Sequence, residues 1–250
     1  MKKNLIDVEF DFTTDTPGFW DNFWEDEMGK SDVDPDIYSS TLKRYHKMLW
    51  SKKLPNGEFL NLRDGGYKDY LSWKNYRFGS DSITASFCYK NNRKFIKKVA
   101  EFLPNYKIYM ENYIRKSYTI GGEIIFPKTP KSINQMRGWN YYIKDRFDLT
   151  LECIRKFYKN EPSPLYEVLS RNKQFFDLFV DFKGYVNFFY LNDLVESDYS
   201  AVKFWLGNGE FDKSPLPQSV EDYLSYMDNQ MAFVNKRNKR ISLAINKNQK

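Results

Sequence analysis

The chain has 250 residues, of which 41% are hydrophobic and 18% aromatic; with that much ring surface to bury it can build a sizeable core, which excludes disorder for most of its length. Its 39 basic and 33 acidic residues leave a charge of +6 at pH 7, a balance that permits contact with phosphates without demanding it. No run approaches ~18 apolar residues, and Asp7, Glu9 and Asp11 interrupt the start, so neither a spanning helix nor a signal peptide is read and the expected location is cytoplasmic, with no membrane partner.

Residues 5–14 alternate apolar and polar from Ile6 to Phe12 and predict a half-buried strand. Phe19, Trp20, Phe23 and Trp24 have the spacing of a short aromatic helical face. Ser39 or Ser40 caps a helix through Trp50, and Pro55-Asn56-Gly57 and Asp64-Gly65-Gly66 are turns. Short strand-like runs follow at Phe59–Leu62 and Ile83–Tyr89, then a basic amphipathic helix over 91–104. Ile120–Phe126 reads as a strand that begins at Gly121-Gly122 and ends at Pro127. Residues 132–160 give the clearest helical periodicity, stopped by Pro162 and Pro164. Leu165–Phe179 reads as another helix, Tyr185–Leu194 fits helix or strand, and Ser219–Arg240 closes the fold as a helix. Strands gather in the first half and helices in the second, so the expectation is a single α+β domain over 1–250, a strand-rich N-terminal half packed on a helical C-terminal half.

The 132–160 segment carries the most information. Ser132-x-x-Gln135 has the form of a capping box. At about 100° per residue, Met136, Ile143, Phe147, Leu151, Ile154 and Tyr158 form an apolar stripe. The other side gathers Asn134, Arg137, Gly138, Tyr141, Asp145, Asp148 and Glu152. Either this is a solvated face, where like charges cost only tenths of a kcal/mol, or it is covered by the N-terminal β region. In the second case the acids need an arginine or a divalent cation inside the molecule. Gly138 favours a covered face, because a glycine within a helix costs about 1 kcal/mol relative to alanine and often marks a close approach.

Gly121-Gly122-Glu123-Ile124-Ile125-Phe126-Pro127, then Ser132 to Asn140, then Asp145 to Arg155 resemble the core of a bacterial family of unknown function marked by R-G-x-N and D-R-F-D motifs. Tyr45-His46, Leu49-Trp50-Ser51-Lys52 and the segments 163–165, 175–176, 184–186 and 193–195 continue the likeness, so it spans nearly the whole chain. The resemblance implies a bacterial or phage-like source and one domain, and it implies no activity.

Other chemistry is sparse. His46 is the single histidine and Cys88 and Cys153 are the only cysteines, which excludes zinc spacing and points to buried, reduced thiols. Phosphate-loop, hydrolase-elbow and zincin patterns are absent, and the sequence leaves the cofactor unknown. Basic runs at 90–98 and 235–240 read as solvated faces or phosphate-contacting stripes. Two functional expectations result. In the first, the chain engages a nucleotide or nucleic acid through Asn134, Arg137, Asn140, Tyr141 and Arg146, with His46, Asp145, Asp148 and Glu152 as the candidate catalytic groups and no metal. In the second, it is a non-enzymatic partner-binding protein, an inhibitor or accessory factor of a mobile element, whose polar cluster is structural and whose contacts use aromatics such as Trp20 and Trp24.

Overall fold

The computed structural model describes residues 6–25, 27–65, 71–84, 93–128, 133–139, 142–211 and 216–247. Helices α1 (Pro35–Tyr38) and α2 (Ser40–Trp50) lead into strands β1 (Arg63–Asp64), β2 (Leu71–Trp73) and β3 (Tyr76–Ser82). Helices α3 (Arg93–Phe102) and α4 (Tyr106–Ser117) separate β3 from β4 (Glu123–Pro127). The second half is helical: α5 (Ile133–Trp139), α6 (Phe147–Tyr158), α7 (Tyr166–Arg171), α8 (Lys173–Asp177), α9 (Phe182–Phe188) and α10 (Val220–Lys247). The four strands form one antiparallel sheet in the order β1-β2-β3-β4, so the protein is α+β.

Where local chemistry is strong the sequence reads correctly. Ser39 caps α2, its Oγ accepting from Leu42 N at 3.0 Å, an arrangement worth about 1 kcal/mol. Asp15 ties the N-terminal segment to the same helix end by accepting from Ser39 Oγ at 2.5 Å and Thr41 N at 2.9 Å. Pro55-Asn56-Gly57 turns, with Gly57 at φ +92°. Gly121-Gly122 does precede β4: a side chain at Gly121 would meet Val234 O and Asn238 Oδ1 of α10 at under 3 Å, so glycine lets the two segments touch.

The expected strand over 5–14 does not form. Asp7 Oδ1 accepts from Glu9 N and Asp11 Oδ1 from Thr13 N, and these side-chain bonds draw the backbone into turns and a 3-10 turn at Phe12–Asp15. Residues 19–24 make successive i to i+3 turns rather than a helix, with Asn22 at φ +59°, although Phe19 and Phe23 still stack at 5.8 Å. Phe59 makes only an isolated bridge to Lys53. Ile83 and Thr84 are not in a strand, and residues 85–89 lie outside the described residues, as does Gly66. The 165–179 segment divides into α7 and α8, and Tyr185–Leu194 resolves as helix followed by a 3-10 turn.

The largest correction concerns 132–160, which is two helices. Lys144 and Asp145 take φ of +46° and +64° between α5 and α6, ending one helix and starting another. The apolar residues from the break onward are nonetheless buried: Ile143 in the connection and Phe147, Leu151 and Ile154 of α6 are all in the core. Helix α6 is buried almost all round, acids included, as expected of a helix enclosed by its fold rather than lying on its surface. The buried side chains form one contiguous cluster drawn from both halves, with Trp50, Phe175, Phe176, Phe179, Tyr185 and Phe189 in successive ring contacts.

Candidate functional site

Alternate residues of a strand face opposite sides of a sheet, and β3 uses this to separate two polar clusters. Asp81 faces one side and Ser80 and Ser82 the other, with Ser82 directly across from Glu123 of β4.

On the Asp81 side, Arg137 of α5 is fully buried. Its guanidinium pairs with the Asp81 carboxylate, donates to Thr150 Oγ1 at 2.8 Å and to Asp145 O at 3.1 Å, and lies 3.5 Å from Asp145 Oδ1. Arg146 and Asp148 form a second, bidentate pair at 3.0 and 2.5 Å. Asp148 also accepts from Leu149 N and Trp205 N, both at 2.9 Å, so both of its oxygens are occupied within the chain. Glu152 is held by Arg155 of its own helix through two bonds of 2.7 Å. The ionic flank is therefore buried and paired. The expected cover is only partly right: β3 covers Arg137, but the 205–206 backbone covers Asp148 and Arg146. Gly138 is not a close approach, since a Cβ there would meet nothing within 4 Å. Asn140 and Tyr141, and the side chain of Asn134, lie outside the described residues.

His46 belongs to the other side. Trp50 Nε1 donates to His46 Nδ1 at 2.9 Å, so the ring proton sits on Nε2, which donates to Ser80 Oγ at 2.9 Å. Burial, with Arg237 nearby, pushes the imidazole down to about 3, and the ring is neutral. Ser80 Oγ in turn donates to Glu123 Oε2 at 3.4 Å. Glu123 is fully buried and lies within electrostatic reach of Asp36 of α1, whose Oδ2 accepts from Ser82 N at 3.1 Å. Asp36 Oδ1 and Glu123 Oε1 are buried with no other donor. Burial pushes the Asp36 carboxyl up to about 7, and burial and Asp36 push Glu123 well above the carboxylate range. Burial also pushes Asp81 up, Arg137 opposes this, and Asp145, Asp36 and Asp34 push it up further. At neutral pH the Asp36–Glu123 pair holds a proton, because two carboxylates in contact cannot both ionise.

Asp36, Ser80, Asp81, Glu123 and Arg237 were not among the expected site residues. Glu123 carried a signal, standing beside Gly121-Gly122, and Arg237 stood in a basic run. Within that run Lys236 and Lys239 are exposed, but Arg237 is not on a solvated face. Arg237 is fully buried and donates to Phe189 O, Gly121 O and Glu123 O at 2.8–3.1 Å. Arg240 pairs with Asp193 at 2.9 Å. Trp20 and Trp24 are half-buried, their indoles donating to Thr13 Oγ1 and Glu111 Oε1.

Among the described residues no group of three or more His, Cys, Asp or Glu side chains has the geometry to hold a metal ion, and no helix is long and apolar enough to cross a membrane. Cys153 is buried and free, its thiol pushed up to about 12 by burial. No curated protein and no solved structure matches the chain. The model of a family of unknown function, DUF6994, does match, over residues 6–241, and the chain belongs to that family.

Proposed function

We propose that the protein, read as bacterial and cytosolic, binds a nucleotide or a nucleic-acid base, and that it grips the base edge with the carboxyl groups at the end of the sheet rather than a phosphate with Arg137. One observation carries this reading: Asp36, partly exposed on α1, has its carboxyl pushed up beside the buried Glu123 at the end of the sheet, with Asp34 as a neighbouring acid. A protonated carboxyl donates while its neighbours accept, which complements a ring nitrogen next to an exocyclic amine. Ile37 and Tyr38, next to Asp36 on α1, are 66% and 59% exposed and supply apolar surface on which a base can stack. The retained proton also makes Asp36 the candidate general acid, should a reaction follow binding.

The test is equilibrium binding of AMP, CMP and UMP, with inorganic phosphate as control. AMP and CMP bind more tightly than UMP by roughly tenfold or more, the scale of one bidentate contact, and Asp36→Asn removes the preference with the fold intact. Equal affinity for all three, or an Asp36→Asn variant that binds like wild type, rejects the reading.

The second reading, a partner-binding protein with a structural polar cluster, is favoured by the closed Arg146–Asp148 and Glu152–Arg155 pairs. It expects no nucleotide binding.

A further inference from the structure

Away from the sheet end, Lys52 lies two residues beyond α2. Its Nζ donates to Phe188 O at 2.7 Å and sits over the rings of Tyr190, Phe188 and Trp50 at 4.0, 4.4 and 5.1 Å. Among the described residues it has no carboxylate partner, whereas most buried cations have one. It opens on a groove of about 630 Å³ shared with Pro55, Val180, Lys183, Phe188 and Tyr190. Two residues on this groove, Val180 and Tyr190, have φ of +69° and +56°. For a β-branched valine this is a true outlier, and such strain, about 1–3 kcal/mol per residue, concentrates at ligand sites. Val180 is nonetheless 64% exposed, so no core packing of its side chain explains the conformation.

The groove is cationic. Lys52, Lys53 and Lys183 line it, and its one acid, Asp181, has an oxygen accepting from Gly184 N at 2.6 Å. We infer that this groove is a reaction site for a small anionic carbonyl compound, an α-oxo acid or carboxylated aldehyde, with Lys52 Nζ as the nucleophile. The amine lone pair forms the C–N bond, the carbonyl oxygen takes up a proton, and the carbinolamine loses water to leave an imine. The aromatic walls limit water at the reacting carbon, and Lys53 and Lys183 receive the ligand's carboxylate. The groups facing Lys52 are Arg237 from α10, Asp181 and Lys183 from the start of α9, Tyr190 and the neighbouring Lys53. Burial, then the positive charge of Arg237, pushes the Lys52 amine down to about 7. The share of free amine at neutral pH is therefore well above the roughly one part in 2,500 of an ordinary lysine, although the ring faces and Phe188 O favour the ammonium.

The experiment treats the full chain with glyoxylate and cyanoborohydride from about pH 6 to about pH 9, then maps modified lysines by peptide mass spectrometry. Lys52 is labelled at least about tenfold faster than any other lysine at pH 7, with a rate that levels off above about pH 7. Glyoxylate outpaces acetaldehyde, and Lys183→Gln narrows that gap. Labelling spread over exposed lysines, or a Lys52 rate still climbing toward about pH 10, overturns the inference, as does equal reactivity toward the two aldehydes. The wild-type map decides even if Lys52→Arg fails to fold; a folded Lys52→Arg chain loses the fast label.

Discussion

Around α6 the buried acids meet guanidinium groups. Asp148 has Arg146, Glu152 has Arg155, and Arg137 has Asp81 and Asp145. At the end of the sheet Asp36 and Glu123 meet a hydroxyl, a backbone N–H and each other. The first arrangement neutralises charge with opposite charge, so removing one partner strands the other. The second neutralises by keeping a proton, so its cost varies with pH and the proton remains available for donation. A carboxyl perturbed mainly by burial is the stronger functional pointer, because ion pairs are commonly structural.

The sharpest way to break this comparison is Asp148→Ala. It leaves Arg146 buried without its carboxylate and the Trp205 amide without its acceptor. The expected loss is about 3–5 kcal/mol, read as a fall in Tm at about 2–4 °C per kcal/mol for a chain of this size. A variant that melts like wild type removes the structural role given to the closed pairs.

A smaller effect separates the other region. The folded Asp36–Glu123 pair binds a proton that the unfolded carboxyls, with values of roughly 4, have released. Stability from this pair is therefore greatest below about pH 4 and falls as pH rises through the Asp36 value of about 7. Glu123→Gln replaces a carboxyl with an amide that donates to Asp36, so the fall of Tm across this window flattens. Parallel wild-type and variant Tm profiles against pH would show that no proton is held there.

The smallest effect is at Gly138. With open space where its Cβ would sit and a φ that is not positive, Gly138→Ala stabilises by up to about 1 kcal/mol. Destabilisation, measured by denaturant midpoint, would mean that the α5 surface near Arg137 is more confined than its geometry indicates.

Much of the fold was legible residue by residue. Ser39, the Pro55–Gly57 turn, Gly121-Gly122 before β4 and the apolar periodicity of α6 and α10 act over a few residues, and each formed close to where it was read. The expected 5–14 strand failed because Asp7 and Asp11 offered the backbone nearer acceptors than any partner strand. The 132–160 helix failed because nothing local marks Lys144 and Asp145 as a break. That turn brings the Asp145 carbonyl and carboxylate onto Arg137, whose main partner, Asp81, is on β3. Of the candidate site, helical spacing gathered Arg137, Asp148 and Glu152 on one side but left open whether that side is solvated or covered; their burial and their division into three pairs were set by the tertiary structure.

By itself the sequence determined the α+β class, the family and the main helices. These follow from periodicity and capping, which act locally. Tertiary structure alone decided that Asp36, Ser80 and Glu123, from segments far apart in the chain, converge at the end of the sheet, and that Lys52 is left without a carboxylate among aromatic rings. Perturbed acidity arises from which groups share a low-dielectric space, and that sharing is set by packing between distant segments.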